Sequence, residues 1–334
     1  MQPQFEHFWA LFKAISRTPL ITISSTDMRD LELLKIAEVL PDLFDQKHGI
    51  HLISVTWNLE SDYTAKKIAE AISVAEKRFP GHKFILLAQN EIETLKMSSL
   101  GVGNILANSS IFMDEQIWRV YPGQKKLYDA LYVARLSKFK RHDLARNISK
   151  PAFVYGNTID EANDTALERV RETVPHADYI NHSFGDDYAY LSPEEICMLS
   201  AQSSVGLALS EVEGYMRASI QYLMCGLPVV SVPSIGGRDR YYSPEYCMIV
   251  DTDADAVANA VWELSARELN KEAVRKHVAR LIAFDRYNFM RAINKLAKSV
   301  FGRETLSLNF ADFSNTLSNP EPINEVIARY AETS

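Results

Sequence analysis

Short apolar runs alternate along this chain with longer stretches whose apolar positions recur at helical spacing. In the first part this predicts strands at Leu20–Ser24, Ile50–Trp57, Phe84–Leu87 and Asn104–Ala107. Helices are predicted between them at Arg29–Phe44, Ala65–Phe79 and Glu91–Leu100. The same rhythm resumes with strands Tyr128–Ala134, Ala152–Tyr155, Tyr179–Asn181, Val205–Leu209, Val229–Val232 and Met248–Val250. Helices are expected from about Met216 to Met224, over Ala254–Ser265 and over Lys271–Phe301. Strands separated by helices of this length imply α/β domains with parallel sheets and helices on both faces.

The first twenty residues carry Phe5, Phe8, Trp9, Leu11, Phe12 and Ile15 at helical spacing, and an amphipathic helix is expected there. Its aromatic face suits a peripheral membrane contact or a partner. Packing on its own domain is the plainer reading, because few basic residues accompany it. Tyr121-Pro122-Gly123 marks a linker. The expected division is 1–125, 126–301 and a tail, 302–334.

Composition narrows the class. The 334 residues are 47% apolar, enough for two cores of ordinary size. A net charge of −7 argues against nucleic acid as a partner. Cys197, Cys225 and Cys247 form no metal-ligand or disulfide pattern and read as core residues in a reducing compartment. No signal-peptide pattern opens the chain and no apolar run approaches the ~20 residues of a membrane span, so a cytoplasmic protein is expected.

Residues 205–251 hold the chemistry. Strand Val205–Leu209 leads into a turn with Ser210, Glu211, Glu213 and Gly214, then a helix ended by Cys225-Gly226-Leu227-Pro228. Strand Val229–Val232 follows, with a loop carrying Gly236-Gly237-Arg238. Such turns open at the carboxyl ends of parallel strands, where these sheets bind ligands. Upstream, Arg135 ends a strand and Lys140 follows it in a loop enriched by Lys138, Arg141 and His142. Taken alone, that loop is a solvated basic loop, and Glu211 and Glu213 are acidic residues at a helix N-terminus. Ser192 with Glu195 is a capping box with Pro193 at the first helical position. Asp253 reads as an N-cap and not as half of an Asp-x-Asp metal motif; no metal is expected there or at Asp186-Asp187.

Together, Ser210-x-x-Glu213-Gly214-Tyr215, Cys225-Gly226-x-Pro228-Val229-Val230 and Gly236-Gly237 resemble the nucleotide-sugar site of GT-B glycosyltransferases, above all the retaining family 4. The resemblance implies two Rossmann-like domains facing a cleft, with the tail returning to the first. It implies a nucleotide-sugar donor as co-substrate, no cofactor, and a saccharide or glycolipid acceptor of surface-glycan type. Arg135 and Lys140 would hold the diphosphate and Glu213 would face the sugar. Gly214, Tyr215, Met216 and Arg217 would approach sugar and phosphates from the helix N-terminus, and Gln221 would meet the ribose. Phe184 to Tyr188, with Asp186, falls at the base-reading segment. Met216 stands where the family has a second Gly, and Gln221 where it has a second Glu. Arg217 is either a third phosphate contact or an ion-pair partner of Glu211.

Acceptor chemistry is expected from the first domain. Ser24 to Asp27, Thr56 to Asn58 with Glu60, and Asn108 to Glu115 end its strands, and Asp27 is the catalytic candidate among them. Two rival functions share the fold. One is a degenerate subunit or binding protein, suggested by Gln221, Met216 and the lack of a Gly-rich loop in the first domain. The other is a nucleotide-sugar 2-epimerase, which would need no acceptor.

Overall fold

The computed structural model describes residues 9–26, 32–156, 158, 161–182, 188–214, 217–302, 308–314, 316 and 321–331. The chain divides into two units, residues 1–114 with 283–334 and residues 115–282.

The first unit opens with β1 (Trp9–Ala10), β2 (Phe12–Arg17), β3 (Leu20–Thr26), α1 (Glu32–Val39) and α2 (Pro41–Phe44). It continues with β4 (Gly49–Val55), α3 (Asp62–Arg78), β5 (His82–Ala88), α4 (Glu91–Ser99) and β6 (Asn104–Leu106). Pro41 divides the single helix expected over Arg29–Phe44, because proline lacks the N–H that would continue the ladder. The sheet order is β2-β3-β4-β5-β6, parallel from β3 onward.

The expected N-terminal helix is not what Trp9 to Arg17 form. They make β1 and β2, and β2 pairs antiparallel with β3 through the turn at Thr18 and Pro19. Phe12 enters the first unit's core while most of the strand stays half-buried, as an edge strand allows. Helical spacing of the aromatic residues lost to sheet pairing, a tertiary effect that periodicity does not contain. Phe5 and Phe8 lie outside the described residues, so the correction covers Trp9 to Arg17.

The second unit comprises β7 (Tyr128–Val133), β8 (Pro151–Val154), α5 (Asn163–Thr173), β9 (Asp178–Tyr179), α6 (Pro193–Gln202) and β10 (Ser203–Ala208). Then come α7 (Arg217–Met224), β11 (Val229–Ser231), β12 (Cys247–Ile249), α8 (Ala254–Ser265) and α9 (Lys271–Phe301). Its six strands are parallel in the order β12-β11-β10-β7-β8-β9. Ala166 and Val170 of α5 and Val257 and Val261 of α8 join the core that includes Tyr132, Val205 and Leu207. Side chains alternate across a strand, so Gly206 faces the other way. There a Cβ on Gly206 would lie 2.3 Å from the Tyr222 ring, so its absence lets α7 close on the sheet. Ser192 and Glu195 form the capping box that starts α6, and Asp253 caps α8.

The last elements, β13 (Glu321–Pro322) and α10 (Ile323–Ala331), belong to the first unit. β13 pairs with β1, and Ile323 and Val326 enter the core that holds Ile36, Ile68 and Met97 of α1, α3 and α4. The sheet's opposite face, with Ile21, Ile23, Ile50 and Leu52, is covered by Phe289, Ile293 and Ala297 of α9 and by Phe313. This explains why the units exchange inside α9 and not at 301. Among the described residues no helix is long and apolar enough to cross a membrane.

Candidate functional site

In the second sheet the connections from β7 lead to β8 on one side, while β10 pairs with β7 on the other. The chain thus continues from the carboxyl ends of β7 and β10 toward opposite sides of the sheet, and such a switch point leaves a crevice. A cavity of about 290 Å³ lies there. Its lining includes Arg135 and Lys140 after β7, Glu213 after β10, and Arg217 and Ala218 at the start of α7.

Backbone and side-chain bonds lock the two loops together. Glu211 N–H donates to Phe139 O at 2.9 Å, and Arg141 Nε to Leu209 O at 2.8 Å. Arg141 takes a left-handed conformation (φ 52°), a strained choice for a residue with a Cβ. Tyr132 donates from its hydroxyl to Lys140 O at 2.6 Å, and burial pushes that phenol well above its ordinary range, so it stays a donor.

Lys140 Nζ meets Glu213 Oε1 at 2.6 Å, with side chains 13% and 5% exposed. At that burial neither charge is well hydrated, so each depends on the other. Ser210 donates its hydroxyl to the same Oε1. Glu213 N–H donates to Ile235 O at 2.9 Å. A Cβ on Gly236 (φ 118°) would sit 2.1 Å from Glu213 O. Only glycine permits both that conformation and that approach, which gives the Gly-Gly loop its physical reason.

The rest of the cavity is aromatic and amide-bearing. Tyr155, Tyr188, Tyr190 and Asn181 line it. Tyr188 donates to Tyr155 O at 2.8 Å, and Asn181 Oδ1 accepts from Tyr155 N–H at 2.8 Å. Tyr155 stacks on His182 with ring centroids 5.8 Å apart. Burial pushes the Tyr155 phenol up to about 12. Tyr190 is 86% exposed, an uncovered aromatic face at the rim. In the sequence the base-reading segment that ends at Tyr188 points to this wall, while Tyr155 and Tyr190 carry no such signal.

Of the sequence-predicted site residues, Arg135, Lys140, Glu213 and Arg217 meet on one cavity. Gly214 is buried beside Glu213. Gln221 is half-buried one turn after Arg217 and is not part of the lining. Asp27, Asp186, Tyr215 and Met216 lie outside the described residues. In the first unit Ser24 to Thr26, Asn58 and Asn108 are buried. Asn108 Nδ2 donates to Gln89 O at 3.1 Å, tying that strand end to its neighbour. Among the described residues no group of three or more His, Cys, Asp and Glu side chains is placed to hold a metal ion.

No protein-family model and no curated protein sequence matches the chain. Solved structures do. An α,α-trehalose-phosphate synthase from Burkholderia xenovorans, in complex with glucose-6-phosphate, superposes with a TM-score of 0.56 at 10% identity over 84% of this chain and 74% of its own. HepE from Anabaena in complex with UDP gives 0.55 at 11% identity over 78% and 82%. AviGT4, a glycosyltransferase of avilamycin A biosynthesis, gives 0.51 at 13% identity over 81% and 89%. At these identities the likeness is one of architecture, and the architecture shared by these glycosyltransferases is GT-B. With two parallel-sheet α/β units and a last segment that rejoins the first, the chain has the GT-B fold.

Proposed function

We propose that the protein is a glycosyltransferase that moves a sugar from a nucleoside-diphosphate donor to a saccharide or glycolipid acceptor. The observation that carries this is the meeting of Arg135, Lys140 and Arg217 with a buried Glu213 on one cavity at the sheet's switch point. Breaking the bond from the anomeric carbon to the phosphate oxygen leaves its electron pair on the diphosphate. Fixed cations and the N-terminus of α7 stabilise that charge as it grows. Arg135 supplies a fork for phosphate oxygens and Lys140 a point charge. Glu213 accepts hydrogen bonds from sugar hydroxyls, and the tyrosines give the nucleoside an aromatic wall.

Family resemblance extends this reading to retention of anomeric configuration, to metal-independent transfer and to glycan assembly on the cytoplasmic side. HepE, solved with UDP and with UDP-glucose, makes a uridine nucleotide the first donor to try.

The test is thermal unfolding against UDP, GDP, ADP, CMP and dTDP with their sugars. A ligand at ~100 times its dissociation constant adds about 2.7 kcal/mol and shifts the midpoint by several degrees. One clear responder supports the reading, and NMR of the product's anomeric proton decides retention. The rival binding-protein function has one observation in its favour, the place of Gln221 off the cavity wall. A flat panel from a folded protein would select it.

A further inference from the structure

Against Ser210, and outside the cavity lining, lies a buried cation, Arg238, that is 4% exposed. Its Nη1 donates to Ser210 O at 2.9 Å and to Ser210 Oγ at 2.8 Å, and its Nη2 donates to Val232 O. We propose that Arg238, acting through Ser210, is a positioning residue for Glu213 and sets the site's preference for a sugar nucleotide over the bare nucleoside diphosphate. The proposal rests on the donor-site reading above.

Direction in this chain follows from the inventory of protons. A guanidinium has only donors, so the Ser210 oxygen must accept from Arg238. The hydroxyl has one proton of its own, and it goes to Glu213 Oε1. Lys140 Nζ reaches the same oxygen. Both bonds of the Glu213 carboxylate to described residues thus fall on Oε1. With one oxygen holding both bonds, the other, Oε2, is left for a ligand in the cavity that Glu213 lines. An ionised carboxylate oxygen only accepts, so its match is a hydroxyl and not a phosphate oxygen.

Loop placement supports the same role. Ile235 O holds Glu213 N–H, and Gly236 packs against Glu213 O. Residues 235–238 therefore grip both the main chain of Glu213 and, through Ser210, its side chain. Arg238 is not part of the cavity lining. Its loss should reach the ligand through the aim of Glu213 and spare the cations that meet phosphate.

The experiment is calorimetric titration of the full chain and its Arg238→Met, Arg238→Lys and Ser210→Ala variants with UDP and with UDP-glucose. If the thermal panel names another base, that nucleotide pair replaces them. The proposal expects the wild type to bind the sugar nucleotide more tightly than the bare diphosphate, and the reverse order would overturn it. Arg238→Met and Ser210→Ala are expected to weaken the sugar nucleotide about tenfold, the worth of one hydrogen bond to a charged group, and the bare diphosphate less than about threefold. Arg238→Lys should recover part of the ratio, and the double variant Arg238→Met, Ser210→Ala should lose no more than Arg238→Met alone. Equal weakening of both ligands, or an unchanged ratio in folded variants, overturns the proposal. Should Arg238→Met fail to fold, Ser210→Ala carries the test, since it removes a single oxygen. A wild-type protein that binds no nucleotide at all overturns the donor-site reading instead, and the relay with it.

Discussion

The two units use the same strand-and-helix vocabulary and wind it differently. In the second, strand order reverses between β7 and β10, and the cavity lies at that reversal. In the first, β3 to β6 follow one another in a single direction. Right-handed crossovers then place α1, α3 and α4 on one face, where Ile36, Ile68 and Met97 share a core. The other face waits for α9 and Phe313, which arrive from the far end of the chain. Winding direction thus decides whether strand ends part to admit a ligand.

Buried polar chemistry follows the same division. In the first unit Thr22 Oγ1 meets His51 Nδ1 at 2.8 Å, His51 Nε2 meets His82 Nδ1 at 2.8 Å, and His82 Nε2 meets Gln46 O at 2.7 Å. A carbonyl can only accept, so His82 carries its proton on Nε2 and every bond in the chain is assigned. Glu93 likewise spends its oxygens on Leu59 N–H and Gln89 N–H, both at 2.8 Å. Those groups answer one another. In the second unit the chain from Arg238 ends on a carboxylate that lines a cavity.

The largest effect should come from cutting the open network. Lys140→Ala leaves Glu213 without its ammonium partner, and ~3 kcal/mol of stability should go with a buried pair broken from one side. Nucleotide binding should fall by roughly a hundredfold, since a charge-assisted phosphate contact goes as well. Arg135→Ala separates the two losses. Arg135 is exposed and makes no ion pair with the described residues, so its melting midpoint should hold while affinity drops about tenfold. A nucleotide response that survives both changes would remove the cations from the site.

Next comes the closed network. Glu93→Ala strands two backbone donors in a side chain's place that is 1% exposed, at a cost of about 3 kcal/mol. Nucleotide affinity should not move, because Glu93 belongs to the other unit. Chemical denaturation with and without nucleotide reads both quantities. A changed affinity would mean that the first unit's strand ends feed the donor site.

How much of this was legible beforehand differs in the same way. Strands such as Phe84–Leu87 and Val229–Val232 announce themselves because their burial is local and continuous. Arg135, Lys140 and Glu213 could be placed together because motif order follows strand order in a parallel sheet. Tyr155, Tyr190 and the role of Arg238 could not. Each depends on which distant loop lies across from it, and Arg238 reads only as a charge after two glycines. The β2 hairpin was hidden for the same reason, since its partner strand decides it.

A smaller pair of effects tests the histidines. Burial pushes His51 down to about 3, with His82 adding to it, and pushes His142 down to about 3, with Arg169 and Lys140 adding. Both folded values lie below the ordinary 6.5, so the unfolded chain takes up protons first as pH falls. Stability is full above pH 6.5 and should be lost at up to ~1.4 kcal/mol per pH unit per histidine as pH drops toward 3. The replacements should diverge. His142→Phe should cost little at pH 7 and flatten the acid loss, because neither His142 ring nitrogen has a hydrogen-bond partner among the described residues. His51→Phe should cost about 2 kcal/mol at pH 7, since Thr22 and His82 are left without their bonds. Equal costs would show that the closed chain in the first unit contributes nothing of its own.

The smallest effect expected is that of Gln221→Glu. Gln221 sits on α7 one turn after Arg217, half-buried and off the cavity wall. A carboxylate there gains a stronger acceptor for a ribose hydroxyl, yet it also adds a negative charge near the diphosphate. The two effects oppose each other, so affinity for the nucleoside diphosphate should change less than about threefold in either direction. Raising the salt should favour the variant, because screening weakens the longer-range repulsion more than a direct hydrogen bond. A gain of tenfold or more at low salt would mean that the helix already presents this position to the ribose. The glutamine would then be what holds the site below the affinity its cations allow.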